Sequence, residues 1–228
     1  MLTQADLYSL RNAGYIFYPE FDNVKSTLEI GNEIGTVLNL NSIDSAYPNR
    51  SVDILRPREK CGLSLNRYHG NFGFQEYPAH TDFAHWLTPP RFLLLRGRGG
   101  AEHVSTHIYH AQTLADMLPE AIIKRALFFA RKARIKTALS MRIARTEKLT
   151  LRWDPLFICP ANSHARLCAE IVSSDEFKNK RLEFNLGNNM ILIIDNWRTL
   201  HGRSSVPSSD QLRKVDRIYL EKIYGISS

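Results

Sequence analysis

Short apolar runs separated by turn-forming residues dominate the hydrophobic pattern of this chain. Arg91 to Arg96 is such a run, with Pro89-Pro90 before it and glycines after it, and it predicts a strand between two turns. Met190 to Ile194 is continuously apolar, which is typical of a strand buried on both faces. The chain therefore contains the kind of segments that build a mainly β core.

Other segments have helical spacing or a strand-like composition. Val24 to Leu38 places apolar residues at helical intervals and predicts an amphipathic helix that braces the outside of a sheet. Gln112 to Phe129 predicts another helix despite Pro119. The remaining predictions are a helix over residues 3–12 and strands over Tyr15 to Tyr18 and Leu149 to Trp153.

The most specific chemical feature is the triplet His80-Thr81-Asp82 together with the distant His201. On an extended strand, residues two apart project from the same face, so His80 and Asp82 can reach one ion while Thr81 points away. A third ligand must then fold back beside them, as neighbouring strands of a layered β structure allow. Two imidazoles and one carboxylate form a facial set typical of Fe(II) sites that keep open positions.

An H-x-D pair is common by chance, so its surroundings decide how much weight it carries. A loop rich in glycine and aromatic residues precedes His80, and the run that ends at Ile194 leads into Asp195-Asn196-Trp197-Arg198 just before His201. Both groups of candidate ligands therefore lie near the ends of predicted strands.

These residues carry a family resemblance. The HTD triplet, the PPRFLLL strand, Thr106, the segment DNWRTLHGR and the pair Arg213 and Arg217 resemble the taurine dioxygenase and clavaminate synthase superfamily of Fe(II)- and 2-oxoglutarate-dependent oxygenases. The match covers roughly residues 60–224 and is loose between Thr106 and about Gly187. The resemblance implies a double-stranded β-helix, or jelly roll, with flanking helices.

The resemblance also implies roles for particular residues. His80, Asp82 and His201 would bind the iron, and Thr106 and Arg213 would bind the distal carboxylate of 2-oxoglutarate. Only a planar guanidinium offers that carboxylate two parallel donors. Arg217 comes four residues later, on the same strand face as Arg213 because the interval is even, and would meet an anionic or polar group of the substrate.

Several assignments remain open at this point. The segment LRKVDRIYL also allows Arg217 to be the co-substrate clamp, although Arg213 keeps the R-x-x-x-R pair intact. Arg203 could contact the co-substrate or substrate, or pair with a structural carboxylate. Trp86 could line the pocket or pack in the core.

The implied reaction is oxidation of an unactivated C–H bond by O2, coupled to oxidative decarboxylation of 2-oxoglutarate to succinate and CO2. Related halogenases lack the carboxylate that Asp82 supplies, so its presence favours hydroxylation or another oxidation such as desaturation. The alternative is a non-catalytic jelly-roll protein that uses a basic face to bind nucleic acid or an acidic partner. A hydrolytic zinc site on the same ligands would leave Arg213 without a purpose.

Length and organisation agree with one oxygenase domain over residues 1–228. Residues 1–58 would support it, and an insert over about 111–181 would cover the active site. Within that insert, Arg152 and Asp154 are candidate substrate contacts or partners in a structural salt bridge.

Charge and cysteine usage add expectations about partners and location. The net charge of +7 favours an anionic substrate or surface, with much of the excess between Lys124 and Lys148. That stretch lacks the interleaved aromatics of a nucleic-acid stacking platform, so a solvated basic face is the simpler interpretation. Cys61, Cys159 and Cys168 show no metal-site spacing, and no signal peptide or membrane-length apolar run is present, so we expect a cytoplasmic protein.

Overall fold

The computed structural model describes residues 2–21, 24–45, 47–60, 67–100, 103–132, 137–144 and 148–226. Its α-helices are α1 Gln4–Ala13, α2 Thr27–Ile34, α3 Tyr68–Phe72, α4 Ala111–Met117, α5 Glu120–Arg125, α6 Ser163–Ser173 and α7 Asp175–Lys178. Its first strands are β1 Tyr15–Tyr18, β2 Gly35–Val37, β3 Asp53–Leu55, β4 Tyr77–His80, β5 Phe92–Gly97 and β6 Ser105–His110. The others are β7 Leu127–Ala130, β8 Ala138–Ser140, β9 Ile158–Pro160, β10 Leu182–Asn185, β11 Ile191–Asp195, β12 Thr199–Arg203 and β13 Val215–Ile223.

Two antiparallel sheets form the core. The larger has the order β1-β11-β5-β13-β2, with β3 also paired to β13, and the smaller has the order β10-β6-β12-β4. Their inner faces share one apolar cluster, in which Leu93, Leu192 and Tyr219 of the larger sheet join Ile108 of the smaller. Sheets packed face to face with these non-sequential strand orders make a double-stranded β-helix.

Separate apolar clusters cover the outer faces of the two sheets. Residues of α1 and α2 pack on the larger sheet, where Ile30 and Ile34 join Ile218 of β13. The segment from α4 to α7 packs on the smaller sheet, where Tyr109 and Leu200 form part of its contact surface. Because side chains alternate along β12, Leu200 faces this outer cluster while His201 faces the interior.

The predicted helix over Val24 to Leu38 is wrong at both ends. The helix begins after Ser26, whose side chain accepts from the Glu29 N–H in a capping box. It ends at Ile34 because Gly35 enters β2, where a Cβ would lie only 2.2 Å from the Lys222 carbonyl oxygen. Pairing with β13 outweighs the helical periodicity of the last residues.

The single predicted helix over Gln112 to Phe129 is also wrong. Leu118 is extended and Pro119 caps a second helix, so the segment divides into α4 and α5. Its last residues belong to β7, which pairs with β8 and β9 in a small third sheet.

The predicted strand over Leu149 to Trp153 is not formed. Only an isolated bridge joins Leu151 to Arg142. The backbone instead forms hydrogen bonds with two other segments. The Leu151 N–H donates to the Trp197 carbonyl, and the Trp153 carbonyl accepts from the Thr81 N–H. The segment thereby links the insert to the loop that carries Asp82.

The predictions for residues 3–12, Tyr15 to Tyr18 and the two apolar runs are confirmed by α1, β1, β5 and β11. Cys159 and Cys168 are free thiols, whereas Cys61 lies outside the described residues. Among the described helices, none is long and apolar enough to cross a membrane.

Candidate metal centre

His80, Asp82 and His201 converge at one end of the smaller sheet. His80 is the last residue of β4, and His201 of β12 lies directly across from it in the antiparallel ladder. Asp82 follows in the turn after β4, so the expectation that it shares a strand with His80 is wrong. Thr81 points away, as predicted, and its hydroxyl donates to the Leu151 carbonyl at 3.3 Å.

The three side chains present ligand atoms that all lie within 4.8 Å of one another, and all three residues are buried. Nε2 of His80 is 3.5 Å from Oδ1 of Asp82, and Nε2 of His201 is 3.7 Å from Oδ2. Nδ1 of His80 lies 2.9 Å from the Pro78 carbonyl oxygen, which fixes the proton on Nδ1 and leaves Nε2 with a free lone pair. His80 is therefore held in the tautomer that a metal ligand needs.

The electrostatics of the cluster favour an ionised Asp82 and a neutral His201, whereas they favour protonation of His80. Burial, reinforced by His80, lowers the pKa of His201 to about 3. Burial alone would raise the pKa of Asp82, but Arg217 and the two imidazoles hold it well below its usual range. Burial lowers the pKa of His80, yet the adjacent Asp82 outweighs it and the net direction is upward. Metal binding at neutral pH therefore competes with protons at His80 more than at His201.

Two neighbours on β13 contact the Asp82 carboxylate. Nη1 of Arg217 donates to Oδ2 at 3.0 Å, and the hydroxyl of Tyr219 donates to the same oxygen at 2.6 Å. The other end of the Arg217 guanidinium pairs with Asp53 of β3 at 3.3 Å. Sequence reasoning missed Tyr219 and Asp53, although Tyr219 lies two residues beyond Arg217 and so shares its strand face.

The imidazole of His80 is also braced by aromatic packing. The Tyr68 ring stacks on it, with centroids 4.2 Å apart and planes at 27°. Behind this pair lies Asp154, whose Oδ1 accepts from the N–H groups of Leu156 and Phe157. Burial raises the pKa of Asp154 to about 6. Arg152 and Asp154 do not pair with each other, since Arg152 donates to the carbonyls of Ala84, Trp86 and Leu87.

Arg213 is a buried cation. Its guanidinium forms no hydrogen bond or ion pair with any of the described residues. It lies in the turn before β13, so the prediction that Arg213 and Arg217 share one strand is wrong. Burial, followed by repulsion from Arg203, lowers the pKa of Arg213 to about 10. A buried guanidinium beside a second one is a strong site for an anion, because an anion relieves both the repulsion and the desolvation.

Arg203 has a structural set of partners. It donates to the carbonyls of Gly73, Gln75 and Ser204, and its guanidinium lies 3.7 Å from the centre of the Tyr77 ring. Arg203 therefore contacts backbone carbonyls and an aromatic ring. The alternative that it pairs with a structural carboxylate is wrong.

Thr106 lies opposite Arg203 in the β6–β12 ladder and is buried. His201 and Arg203 are two residues apart on β12, so Thr106 shares their interior face. The Thr106 side chain therefore lies on the interior face beside Arg203, which is close enough to Arg213 to lower its pKa.

The donor set fits a divalent metal of the iron class. Two imidazole Nε2 atoms and a carboxylate converge in a buried position, where Oδ1 of Asp82 is nearest His80, and Oδ2 is nearest His201 and also accepts from Arg217 and Tyr219. Imidazole with carboxylate and open positions suits non-haem Fe(II), whereas structural zinc prefers a closed set of four ligands.

Solved structures show the same architecture. Asparagine oxygenase in complex with Fe(II), (2S,3S)-3-hydroxyasparagine and succinate is 16% identical, with a TM-score of 0.69 over 95% of this chain and 78% of that one. PvcB from Pseudomonas aeruginosa is 16% identical, with a TM-score of 0.66 over 92% of this chain and 77% of that one. The chain has the double-stranded β-helix fold of these oxygenases.

The non-haem iron oxygenase OrfP, in complex with Fe, succinate and (3S)-hydroxy-L-Arg, shares this double-stranded β-helix. It is 16% identical, with a TM-score of 0.61 over 97% of this chain and 81% of that one. No protein-family model matches the sequence, and no relative is found among curated proteins. At this identity the likeness establishes the double-stranded β-helix and leaves the chemistry to the site itself.

Within this double-stranded β-helix, Trp86 belongs to an aromatic group beside Asp82. Its ring packs against Phe83, with centroids 4.5 Å apart, and against Tyr47 at 5.7 Å. Phe83 in turn meets Tyr219 edge-on at 5.2 Å. A role for Trp86 at a substrate pocket stays a prediction.

The insert reaches the surroundings of the metal centre through residues 151–157. The Phe157 ring lies 6.0 Å from Tyr68 and 5.3 Å from His85, while most of the insert packs on the outer face of the smaller sheet. Covering of the active site by residues 111–181 stays a prediction. Of the basic stretch from Lys124 to Lys148, residues 133–136 and 145–147 lie outside the described residues.

Proposed function

We propose that the chain is a non-haem Fe(II)- and 2-oxoglutarate-dependent oxygenase that hydroxylates a C–H bond of a small polar substrate. The observation that carries the proposal is the buried convergence of His80, Asp82 and His201 on a double-stranded β-helix. Bound Fe(II) would couple oxidative decarboxylation of 2-oxoglutarate by O2, giving succinate and CO2, to hydroxylation of the substrate. Asp82 occupies the carboxylate position, which favours hydroxylation over halogenation.

Arg213 and Thr106 would hold the co-substrate. The buried guanidinium of Arg213 has no side-chain partner among the described residues, so the distal carboxylate of 2-oxoglutarate can bind it without displacing another acid. Thr106 faces the same interior side and would add a hydroxyl donor. Arg203 already donates to backbone carbonyls. Its charge repels that of Arg213, and a carboxylate bound at Arg213 would relieve this repulsion.

Arg217 would recognise an anionic group of the substrate. Asp53, which is its outer partner at 3.3 Å, keeps 22% of its side chain exposed and could exchange with a substrate carboxylate. Asparagine oxygenase and OrfP hold hydroxylated amino acids in their structures. A small molecule of the amino-acid type, with Trp86 and Phe83 beside its path, is therefore the substrate class we propose. The free thiols of Cys159 and Cys168 and the need to keep iron ferrous support a reducing cytoplasmic location.

Anaerobic titration tests this proposal. Adding Fe(II) and 2-oxoglutarate to the protein should produce a weak visible absorption from their joint complex, and His201→Ala should abolish it. His103→Ala is the matched control, since that imidazole is 66% exposed. If the wild type gives no such absorption and retains no iron, the proposal fails.

The same titration separates the two arginines. Arg213→Ala should raise the 2-oxoglutarate concentration for half-maximal absorption at least tenfold, because a buried charge-assisted pair is lost. Thr106→Ala should raise it less. A larger effect from Arg217→Ala than from Arg213→Ala would show that the clamp is Arg217.

A further inference from the structure

The two oxygens of Asp82 have different hydrogen-bond partners. Each oxygen borders one imidazole, since Oδ1 lies 3.5 Å from Nε2 of His80 and Oδ2 lies 3.7 Å from Nε2 of His201. Oδ2 alone also accepts from the Tyr219 hydroxyl at 2.6 Å and from Arg217 Nη1 at 3.0 Å. A carboxylate oxygen offers about two lone-pair directions, so these two donors occupy Oδ2.

Tyr219 is held where it can fix the carboxylate. It is 3% exposed, lies in β13, an inner strand of the larger sheet, and packs edge-on against Phe83 at 5.2 Å. Its hydroxyl cannot turn to solvent, because the residue is enclosed by the interior cluster between the sheets. The 2.6 Å bond to an ionised acceptor is of the short, charge-assisted kind.

We infer that Tyr219 is a positioning residue that, together with Arg217, makes Asp82 bind the metal through Oδ1 alone. The inference rests on the proposed metal site and adds a residue that contacts neither the metal nor the substrate. A monodentate carboxylate leaves more coordination positions open than a bidentate one. Open positions are needed at a site that must also bind a chelating co-substrate and O2. Hydrogen bonds of this kind to a ligating group commonly change metal affinity 10- to 100-fold.

Cobalt titration of the metal-free protein provides the test, because bound Co(II) reports its coordination by its visible spectrum. Tyr219→Phe removes only the hydroxyl and should weaken Co(II) binding about tenfold. The visible bands of bound Co(II) should also change as Oδ2 becomes free to coordinate. Tyr224→Phe is the matched control, because that side chain is 52% exposed, and it should alter neither affinity nor spectrum.

The outcomes separate this inference from the proposed function. If the wild type binds no Co(II), the metal site itself is wrong. If the wild type binds Co(II) and Tyr219→Phe binds it with equal affinity and an identical spectrum, only the positioning role is wrong. A loss of Co(II) affinity with an unchanged spectrum would also overturn the positioning role, since that result indicates a less ordered protein and not a changed coordination by Asp82. Thermal unfolding of the metal-free variants shows whether both are folded.

Discussion

Asp154 is a carboxyl group enclosed by the protein, and its ionisation opposes folding. Burial raises its pKa from 3.8 to about 6, so the folded protein binds the proton more tightly than the unfolded chain. The sign follows from proton linkage: stability falls as pH rises from about 4 through 6, and the loss is complete above that range. A pKa difference of roughly 2 corresponds to at most about 3 kcal/mol.

Asp154→Asn should therefore stabilise the metal-free protein at pH 8 and have a much smaller effect at pH 4.5, where most of the loss has not yet occurred. The amide oxygen can keep both bonds that Oδ1 accepts from the Leu156 and Phe157 N–H groups. Melting temperatures of wild type and variant at the two pH values give the measurement. Asp175→Asn, at a carboxylate 93% exposed, should show no such trend. Equal pH dependence of wild type and Asp154→Asn would contradict the prediction.

At the scale of elements, the metal centre depends on the contact between β4 and β12. Gly202 lies between His201 and Arg203, where the ladder changes register, and a Cβ there would be 2.6 Å from the Tyr77 carbonyl oxygen. The neighbouring atom is backbone, so it can yield only if the two strands separate. Glycine is thus required for close approach of the strands that carry His80 and His201.

Gly202→Ala should destabilise the protein by about 1–3 kcal/mol, the usual cost of overpacking. It should also weaken Co(II) binding, because β4 and β12 carry the two imidazoles. Denaturant unfolding and cobalt titration measure the two effects. Gly187→Ala is the control, since its Cβ would meet only the flexible end of Met190 at 3.3 Å. If both variants bind Co(II) as the wild type does, close strand approach does not set the ligand geometry.

The elements differ in how far they could be predicted from sequence. The apolar runs of β5 and β11 could be predicted as interior strands, because segments this hydrophobic must be buried on both faces. The end of α2 could not be predicted, since Gly35 leaves the helix to pair with β13, a strand almost the whole chain away. The three candidate ligands could be singled out from the HTD triplet, the DNWRTLHGR segment and the family resemblance, although the strand placement expected for Asp82 is wrong. Tyr219 and Asp53 could not, because their contacts depend on how β13 and β3 meet in the folded sheet.

The whole molecule gains a cross-link when a metal binds. His80 and Asp82 flank the end of β4, while His201 comes from β12 far along the chain, so a bound ion joins segments that are distant in sequence. The unfolded chain does not hold these three side chains together, and binding energy is therefore added to folding stability. At a free metal concentration of roughly 100 times Kd, the added stability is about 2.7 kcal/mol.

For a chain of 228 residues, that stabilisation should raise the melting temperature by about 5–10 °C. Mn(II) is the suitable ion, because it binds such ligands without being oxidised in air during heating. His201→Ala should lose the rise, because two remaining ligands bind a divalent ion weakly. His103→Ala, at an exposed imidazole outside the cluster, should retain it. A rise of equal size in wild type and His201→Ala would place the bound metal elsewhere on the protein, and the three side chains would then not form its site.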